Sequence, residues 1–461
     1  MNLPAGIAMQ RLFGTNGIRG VVNEDMNIEL ASGVGKAVGT FLCGKGRVVV
    51  GTDTRTSNCM LADALTAGIL CTGVDVVDVG VCPSPAIQYA VKTGMGNFGV
   101  IITASHNPPQ FNGIKCIDED GTELGREKEE QIEKIYFERR FLHKPWYETG
   151  SYVENNQANT IYINGILEKC DKETIKKAKL RVLIDCSNGA SCFTSPYLLE
   201  KLGCKVISLN AHPQGTFPGH ASEPTPDNLK ETIKITEALG MDITVVHDGD
   251  ADRTIFIDEK GNYIFGDKSL ALVAREIVKA RNGGLVVTPV ATSLCLEDAV
   301  KEHGGRVLYT RVGAPIVARA MIENDAVFGG EENGGMIFPE FQYCRDGGMA
   351  AAKMLEILAK TGRTLSELID SLPKYAQIKT KVECPENKKD VALRKLVEYY
   401  KGEKIDTTDG VKILFEKSWV LIRPSGTEPI YRVYAEAENT EKARKLSEEN
   451  RKLIEEIIRS I

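Results

Sequence analysis

One unit recurs three times in this chain, and few folds accommodate such a recurrence. Each copy opens with a short apolar, β-branched run that ends in turn residues: Arg47-Val-Val-Val-Gly-Thr-Asp53, Arg181-Val-Leu-Ile-Asp-Cys-Ser187 and Gly284-Leu-Val-Val-Thr-Pro-Val290. A helical segment follows, then a glycine-led second strand: Gly73 to Gly80, Gly203 to Leu209 and Gly304 to Thr310. Strands alternating with helices imply βαβ units and mainly parallel sheets. The third strand of each copy leads into a polar loop, carrying Ser105 after Gly99 to Thr103, Asp248 after Asp242 to Val246, and Glu331 after Asp325 to Gly329. In open α/β sheets ligands bind beyond the carboxyl ends of the strands, so three such domains facing one cleft pool their loops into a site. A common architecture without a common site produces the same recurrence.

After about residue 372 the pattern changes. Ser418 to Ile422 and Ile430 to Ala435 read as strands flanking the turn Arg423-Pro-Ser-Gly-Thr-Glu-Pro429, and a charged amphipathic helix runs from about Thr440 onward. The expected fold class is α/β: three similar mixed α/β domains with mainly parallel sheets, over 1–148, 149–254 and 255–372, plus a C-terminal α+β domain over 373–461. A length of 461 residues suits three or four domains. No window approaches the ~20 apolar residues of a membrane span, so no membrane partner is expected. Residues 1–10 lack a basic start and read as a short extension, not a signal peptide. Net charge is -6 with the basic residues scattered, so no nucleic acid is expected. The 12 cysteines stand singly, with no C-x-x-C pair. They read as reduced, buried thiols of a cytoplasmic protein.

Ser105 sits in Thr103-Ala-Ser-His-Asn-Pro108, a stiff turn expected to expose it. A serine in such a place is as readily a cap or turn residue. A covalent role needs an activator, for which His106 and Lys115 are at hand; without a G-x-S-x-G elbow there is no hydrolase triad. Asp248-Gly-Asp-Ala-Asp252 sets three carboxylates at alternate positions, and unit charges so close repel by about 4 kcal/mol at an effective dielectric near 20. A hard divalent cation relieves that repulsion. The spacing resembles an EF-hand, but Arg253 stands where that loop needs glycine. An aspartyl-phosphate phosphatase is the more serious rival, though it leaves the third carboxylate without a task. Gly329 to Gly335 offers Glu331, Glu332 and Asn333 on flexible backbone, suited to sugar hydroxyls. Arg423, Ser425, Gly426 and Thr427, with Arg432 on the next strand, compose an anion nest suited to phosphate.

Five motifs in order resemble the α-D-phosphohexomutase superfamily over essentially the whole chain: Phe13 to Gly20, Thr103 to Pro108 with Asn112 to Lys115, Asp248 to Arg253, Gly330 to Gly335, and Arg423 to Pro429. The resemblance implies four domains around a central cleft and a phosphorylated Ser105, which also ligates one Mg²⁺ held by Asp248, Asp250 and Asp252. It further implies sugar recognition at Glu331 and Asn333, and phosphate binding by Ser425, Gly426 and Thr427. Where many members carry G-E-x-S-G-H, this chain has Gly330-Glu-Glu-Asn-Gly-Gly335, so Asn333 and Gly335 stand in place of the serine and histidine. That version is similar to the archaeal branch associated with phosphoglucosamine mutase.

The activity implied is interconversion of a hexose 6-phosphate and its 1-phosphate, primed by a hexose 1,6-bisphosphate, with glucosamine phosphate as the expected sugar. Glucose and mannose phosphates are the alternatives, and a non-catalytic phosphosugar-binding protein is a rival from another class. Arg19, Lys115 and Arg253 are the expected cations, and Lys115 the expected proton acceptor. Glu332 is a candidate partner for an amino sugar's ammonium. A monomer or homodimer is expected.

Overall fold

The computed structural model describes residues 11–14, 16–426 and 428–461, within which the strands form four sheets. In the first, Arg47–Thr52 lies between Asp75–Val81 and Phe98–Ile102, all parallel. In the second, Arg181–Asp185 lies between Lys205–Leu209 and Ile243–His247, and in the third Gly284–Pro289 lies between Gly305–Thr310 and Phe328–Gly330. The opening strand of each unit is thus sandwiched by the other two. That position explains its unbroken apolar run, because such a strand has helices over both faces.

Each sheet then adds antiparallel strands to this parallel centre in the same way. The strand after the polar loop turns back antiparallel on the third strand: Phe111–Ile117 on Phe98–Ile102, Thr254–Asp258 on Ile243–His247, and Met336–Phe338 on Phe328–Gly330. The sheets are therefore mixed, and every polar loop is the tip of a hairpin, not the start of a crossover. Short strands join the sheet edges too: Tyr152–Glu154 in the first sheet and Tyr263–Ile264 in the second. The first two sheets accordingly run past the expected limits at 148 and 254. Tyr152–Glu154 is exposed throughout and only three residues long, so it has no apolar period to mark it.

A continuous apolar core runs through all three units, bringing together Ile87 and Ile101, Ile184 and Val245, and Val286 and Phe328. Close-packed interiors resist relative movement, so the three hairpin tips are held by one body. The last sheet, of five strands, has its own core, with Tyr431, Val433 and Ile454. It meets the third unit through a separate cluster of Val290, Ala291, Trp419 and Leu421. All 12 cysteines are free; Cys43 and Cys59 are exposed and Cys71 and Cys170 partly so, while the rest are buried as expected. Among the described residues no helix is long and apolar enough to cross a membrane.

Lys412 is buried at the seam between the third unit and the C-terminal sheet. Its Nζ donates to the Val290 carbonyl at 2.6 Å and stands 4.3 Å from the Trp419 ring centroid. Burial pushes its pKa from 10.5 down to about 8, against the pull of Glu436, Asp406 and Glu297. Between those two values the unfolded chain binds more protons than the folded one, so this lysine makes stability rise with pH across that window. Below the window its penalty is fully present. Denaturant unfolding from pH 7 to 10.5 is expected to show that rising limb, and Lys412→Met to flatten it.

Candidate active site

The three hairpin tips meet. Ser105 Oγ donates to Asp248 Oδ2 at 3.0 Å, joining the first loop to the second across 143 residues of chain. Lys115, on the returning strand of the first hairpin, donates to Asp250 Oδ2 at 3.0 Å and to Asp252 Oδ2 at 3.4 Å. Arg345 NH2 reaches Asp252 Oδ2 at 2.5 Å while its NH1 reaches Glu331 Oε2 at 2.9 Å, linking the second loop to the third. The backbone adds a bond from Thr254 N to the Gly334 carbonyl at 3.0 Å. Each loop also contains a left-handed residue, at Ser105 (φ 51°), Ala251 (φ 57°) and Gly334 (φ 93°), which folds the tip sharply.

Ser105 is fully buried, not exposed as the turn suggested. The metal-type loop lies directly against it: a Cβ on Gly249 would stand 2.6 Å from the Ser105 carbonyl oxygen, so only glycine permits this approach. Beneath the serine is a brace that the sequence reading passed over. Arg55 pairs with Asp53 at 3.1 Å and donates to the carbonyls of Ser105, Asn107, Pro108 and Phe111. Asp53 in turn accepts from Thr103 Oγ1 at 2.6 Å. The available signal was the Asp53-Thr-Arg55 turn that closes the first strand of the first unit.

Asp248, Asp250 and Asp252 are buried, and one oxygen from each falls within 4.8 Å of the others. Protein groups hold the outer oxygens: Lys115 and Ser84 on Asp250 Oδ2, Arg345 and Lys115 on Asp252 Oδ2. Asp250 Oδ1 and Asp252 Oδ1 are buried without a hydrogen-bond partner among the described residues. Orphaned buried carboxylate oxygens beside one another fit a hard divalent cation, and Ser105 Oγ stands beside them. Burial, then Asp250 and Asp252, push Asp248 well above the ordinary carboxylate range. Burial works on Asp250 as well, but Lys115 and Ser84 outweigh it and hold that group far below the range.

Lys115, the expected proton acceptor, sits among carboxylates. Burial disfavours its charge, yet Asp250, Asp252 and Glu123 raise its pKa above the ordinary lysine value, so it stays an ammonium. His106 Nδ1 lies 3.4 Å from Ser105 Oγ, and burial followed by the charges of Arg253 and Arg19 pushes its pKa down to about 2. The imidazole is neutral and weakly basic.

A cleft of about 880 Å³ opens above these loops. Arg19, His106, Asn107, Arg253, Glu331, Asn333 and Arg345 line one side, and Arg423, Ser425, Gly426 and Arg432 of the C-terminal sheet line the other. Arg19 NH1 donates to Asn107 Oδ1 at 2.7 Å, leaving its Nε and NH2 buried without partners among the described residues. Arg253 Nε stands 3.9 Å from both Asp248 and Asp252. Glu331 Oε1 accepts from Gly313 N at 3.1 Å, and Asn333 Oδ1 from Gly335 N at 3.1 Å. In the far wall Lys389 Nζ holds the Ser425 carbonyl at 2.6 Å, Asp409 holds Arg423 at 3.0 Å, and Arg432 reaches Glu428 at 2.7 Å. Thr427 lies outside the described residues. Glu332 does not line this cleft; with Asp267 and Lys379 it lines an adjoining pocket of about 140 Å³ that shares Arg253 and Asn333 with it. Ser84, Arg55 and Arg345 are the site residues that the sequence reading missed.

Models of one protein family match in chain order: "Phosphoglucomutase/phosphomannomutase, alpha/beta/alpha domain I" over 10–143, domain II over 160–261, domain III over 265–375, and the C-terminal domain over 380–453. A relative from Thermococcus kodakarensis named phosphoglucomutase/phosphomannomutase is 50% identical, covering 98% of this chain and 100% of its own. One from Sulfurisphaera tokodaii named phosphoglucosamine/phosphogalactosamine mutase is 41% identical, covering 97% of this chain and 100% of its own. The crystal structure of a phosphoglucomutase/phosphomannomutase family protein from Burkholderia thailandensis superposes with a TM-score of 0.85 at 27% identity, over 97% of each chain.

Proposed function

Because the chain belongs to the phosphoglucomutase/phosphomannomutase family, we propose that it interconverts a hexosamine 6-phosphate and its 1-phosphate through phospho-Ser105 and a 1,6-bisphosphate. The observation that carries this reading is the contact of Ser105 Oγ with Asp248: Ser105 is next in the chain to His106 and Asp248 is close to Arg253, and both His106 and Arg253 line a cleft that Arg423 and Arg432 also line. A phosphoryl donor thus stands just behind the lining of a cleft whose lining includes a phosphate anchor. Its walls bear Glu331 and Asn333 for the hydroxyls.

In the forward step the free hydroxyl of the bound monophosphate attacks phosphorus. The P–Oγ bond of Ser105 breaks, the new P–O bond forms on the sugar, and the hydroxyl proton ends on Ser105 Oγ. A divalent ion such as Mg²⁺ on Asp248, Asp250 and Asp252 screens the phosphoryl charge when bound. Arg19, with buried donors still unpaired among the described residues, and the Lys115 ammonium add fixed positive charge at the same place, which is what a loose phosphoryl transition state requires. The bisphosphate then turns within the cleft, so that the phosphate first held by Arg423 and Arg432 meets Ser105. The reverse transfer regenerates the phosphoenzyme, and a bound 1,6-bisphosphate primes an unphosphorylated one.

The glucosamine preference rests on the Glu331-Glu-Asn-Gly-Gly335 loop and on the names of relatives, which span hexosamine, glucose and mannose phosphates. Phosphorus NMR of the Mg²⁺-loaded enzyme with glucosamine 6-phosphate and a trace of bisphosphate is expected to show the 1-phosphate. Release of inorganic phosphate instead would replace the mutase with a phosphatase. A higher kcat/KM for glucose or mannose phosphate would move the sugar assignment alone.

A further inference from the structure

Gly335 is a glycine for reasons of space, since it has no left-handed φ. A Cβ there would stand 2.2 Å from Arg345 Cδ and 2.9 Å from its Cγ. The room that a side chain at 335 would fill is taken by the stem of Arg345. This arginine comes from the strand Gln342–Arg345, directly opposite Ile337 in the register, and is only 2% exposed. Its fork makes two separate ion pairs, with Asp252 of the metal-type loop and with Glu331 of the sugar-type loop. It also borders the cleft, and its Nε is buried without a hydrogen-bond partner among the described residues.

We propose that Arg345 is a positioning residue of the phosphoryl transfer: it fixes the Glu331 carboxylate and the outer oxygen of Asp252 in one frame, and Gly335 is the vacancy that admits it. The proposal rests on the mutase reading. A planar guanidinium can hold two carboxylates at once, and no other side chain offers that geometry. Asp252 keeps Lys115 at 3.4 Å if Arg345 is lost, but among the described residues the Glu331 carboxylate keeps only the Gly313 amide. Sugar binding is thus the function most exposed to that loss. At the position where the superfamily pattern carries histidine, this chain has Gly335, and the space beside it is filled by Arg345 from another strand.

The test uses Arg345→Ala, Gly335→Ala and the double variant in the full-length enzyme. Arg345→Ala is expected to lower kcat/KM for glucosamine 6-phosphate by about 10²-fold, the usual cost of a small misplacement at a phosphoryl-transfer site. Calorimetry in EDTA, which reads sugar phosphate binding without metal, is expected to show affinity weakened about tenfold. Millimolar guanidinium should restore at least about tenfold of the lost turnover in Arg345→Ala, filling the space its side chain left. It should not do so in the double variant, where the added methyl group narrows that space. Gly335→Ala keeps every charged group yet displaces the arginine stem, so it should resemble Arg345→Ala, and the two losses should not add. Arg345→Ala within twofold of wild type in both kinetics and calorimetry overturns the proposal, as does additivity of the two losses. If Arg345→Ala does not fold, Gly335→Ala and Arg345→Lys decide the matter, with wild-type kinetics in both overturning it. Failure of wild-type enzyme to isomerise any hexose phosphate would instead remove the mutase reading.

Discussion

Ser105→Ala is expected to lower mutase turnover by at least about 10⁴-fold, the scale on which loss of a covalent nucleophile disables an enzyme whose binding apparatus is intact. Alanine keeps the Arg55 brace, which grips the backbone carbonyls around the turn and not the hydroxyl. The fold and the cleft therefore survive the substitution, and sugar phosphate affinity should change by less than about threefold. Incubation with labelled bisphosphate is expected to transfer one phosphoryl group to the wild-type protein and none to the variant. The label should resist hydroxylamine, as a serine ester does and an acyl phosphate on Asp248 does not. Normal turnover by Ser105→Ala, or a hydroxylamine-labile label, would show that Ser105 is not the carrier.

Asp250→Asn is expected to reduce turnover by about 10³-fold, comparable to removing a principal electrostatic contact from a transition state. Excess Mg²⁺ should not restore it. Melting in the presence and absence of Mg²⁺ tests the same cation independently. Three buried carboxylates repel when no cation is bound, and the pKa of Asp248 is raised by burial and by its two neighbours. With a folded-state pKa above that of the unfolded chain, the metal-free protein loses stability as pH rises through that interval, because the unfolded state releases the proton first. In EDTA, then, wild type should melt below its Mg²⁺-loaded form, with a gap that widens from acidic to neutral pH. Asp250→Asn should show a smaller gap. Equal melting temperatures with and without Mg²⁺, together with undiminished turnover of the variant, would count against a cation at these aspartates.

Local patterns made much of this legible. The opening strand of each unit is buried on both faces, and a run such as Val48-Val-Val50 betrays that without any knowledge of its neighbours. Loop chemistry was legible for a similar reason: Asp248, Asp250 and Asp252 are close in sequence, so their mutual repulsion is a local fact. The hairpin character of the loops was not legible. Phe111–Ile117 and Thr254–Asp258 read as strands whether they run parallel or antiparallel, and only the pairing partner decides between the two.

The sequence by itself therefore determined the repeated βαβ architecture, the four-part division and the residue types at the hairpin tips, because strand period, turn chemistry and charge spacing act over a few residues. Tertiary structure alone decided what depends on distant partners: the burial of Ser105 beneath Gly249, the ammonium state of Lys115 among Asp250, Asp252 and Glu123, and the place of Glu332 beside Asp267 and Lys379. Arg345 shows the reason most plainly, since it meets Asp252 across 93 residues of chain and occupies space that Gly335 leaves empty. Desolvation, ion pairing and excluded volume act through space, and no period along the chain encodes which distant residue will supply them.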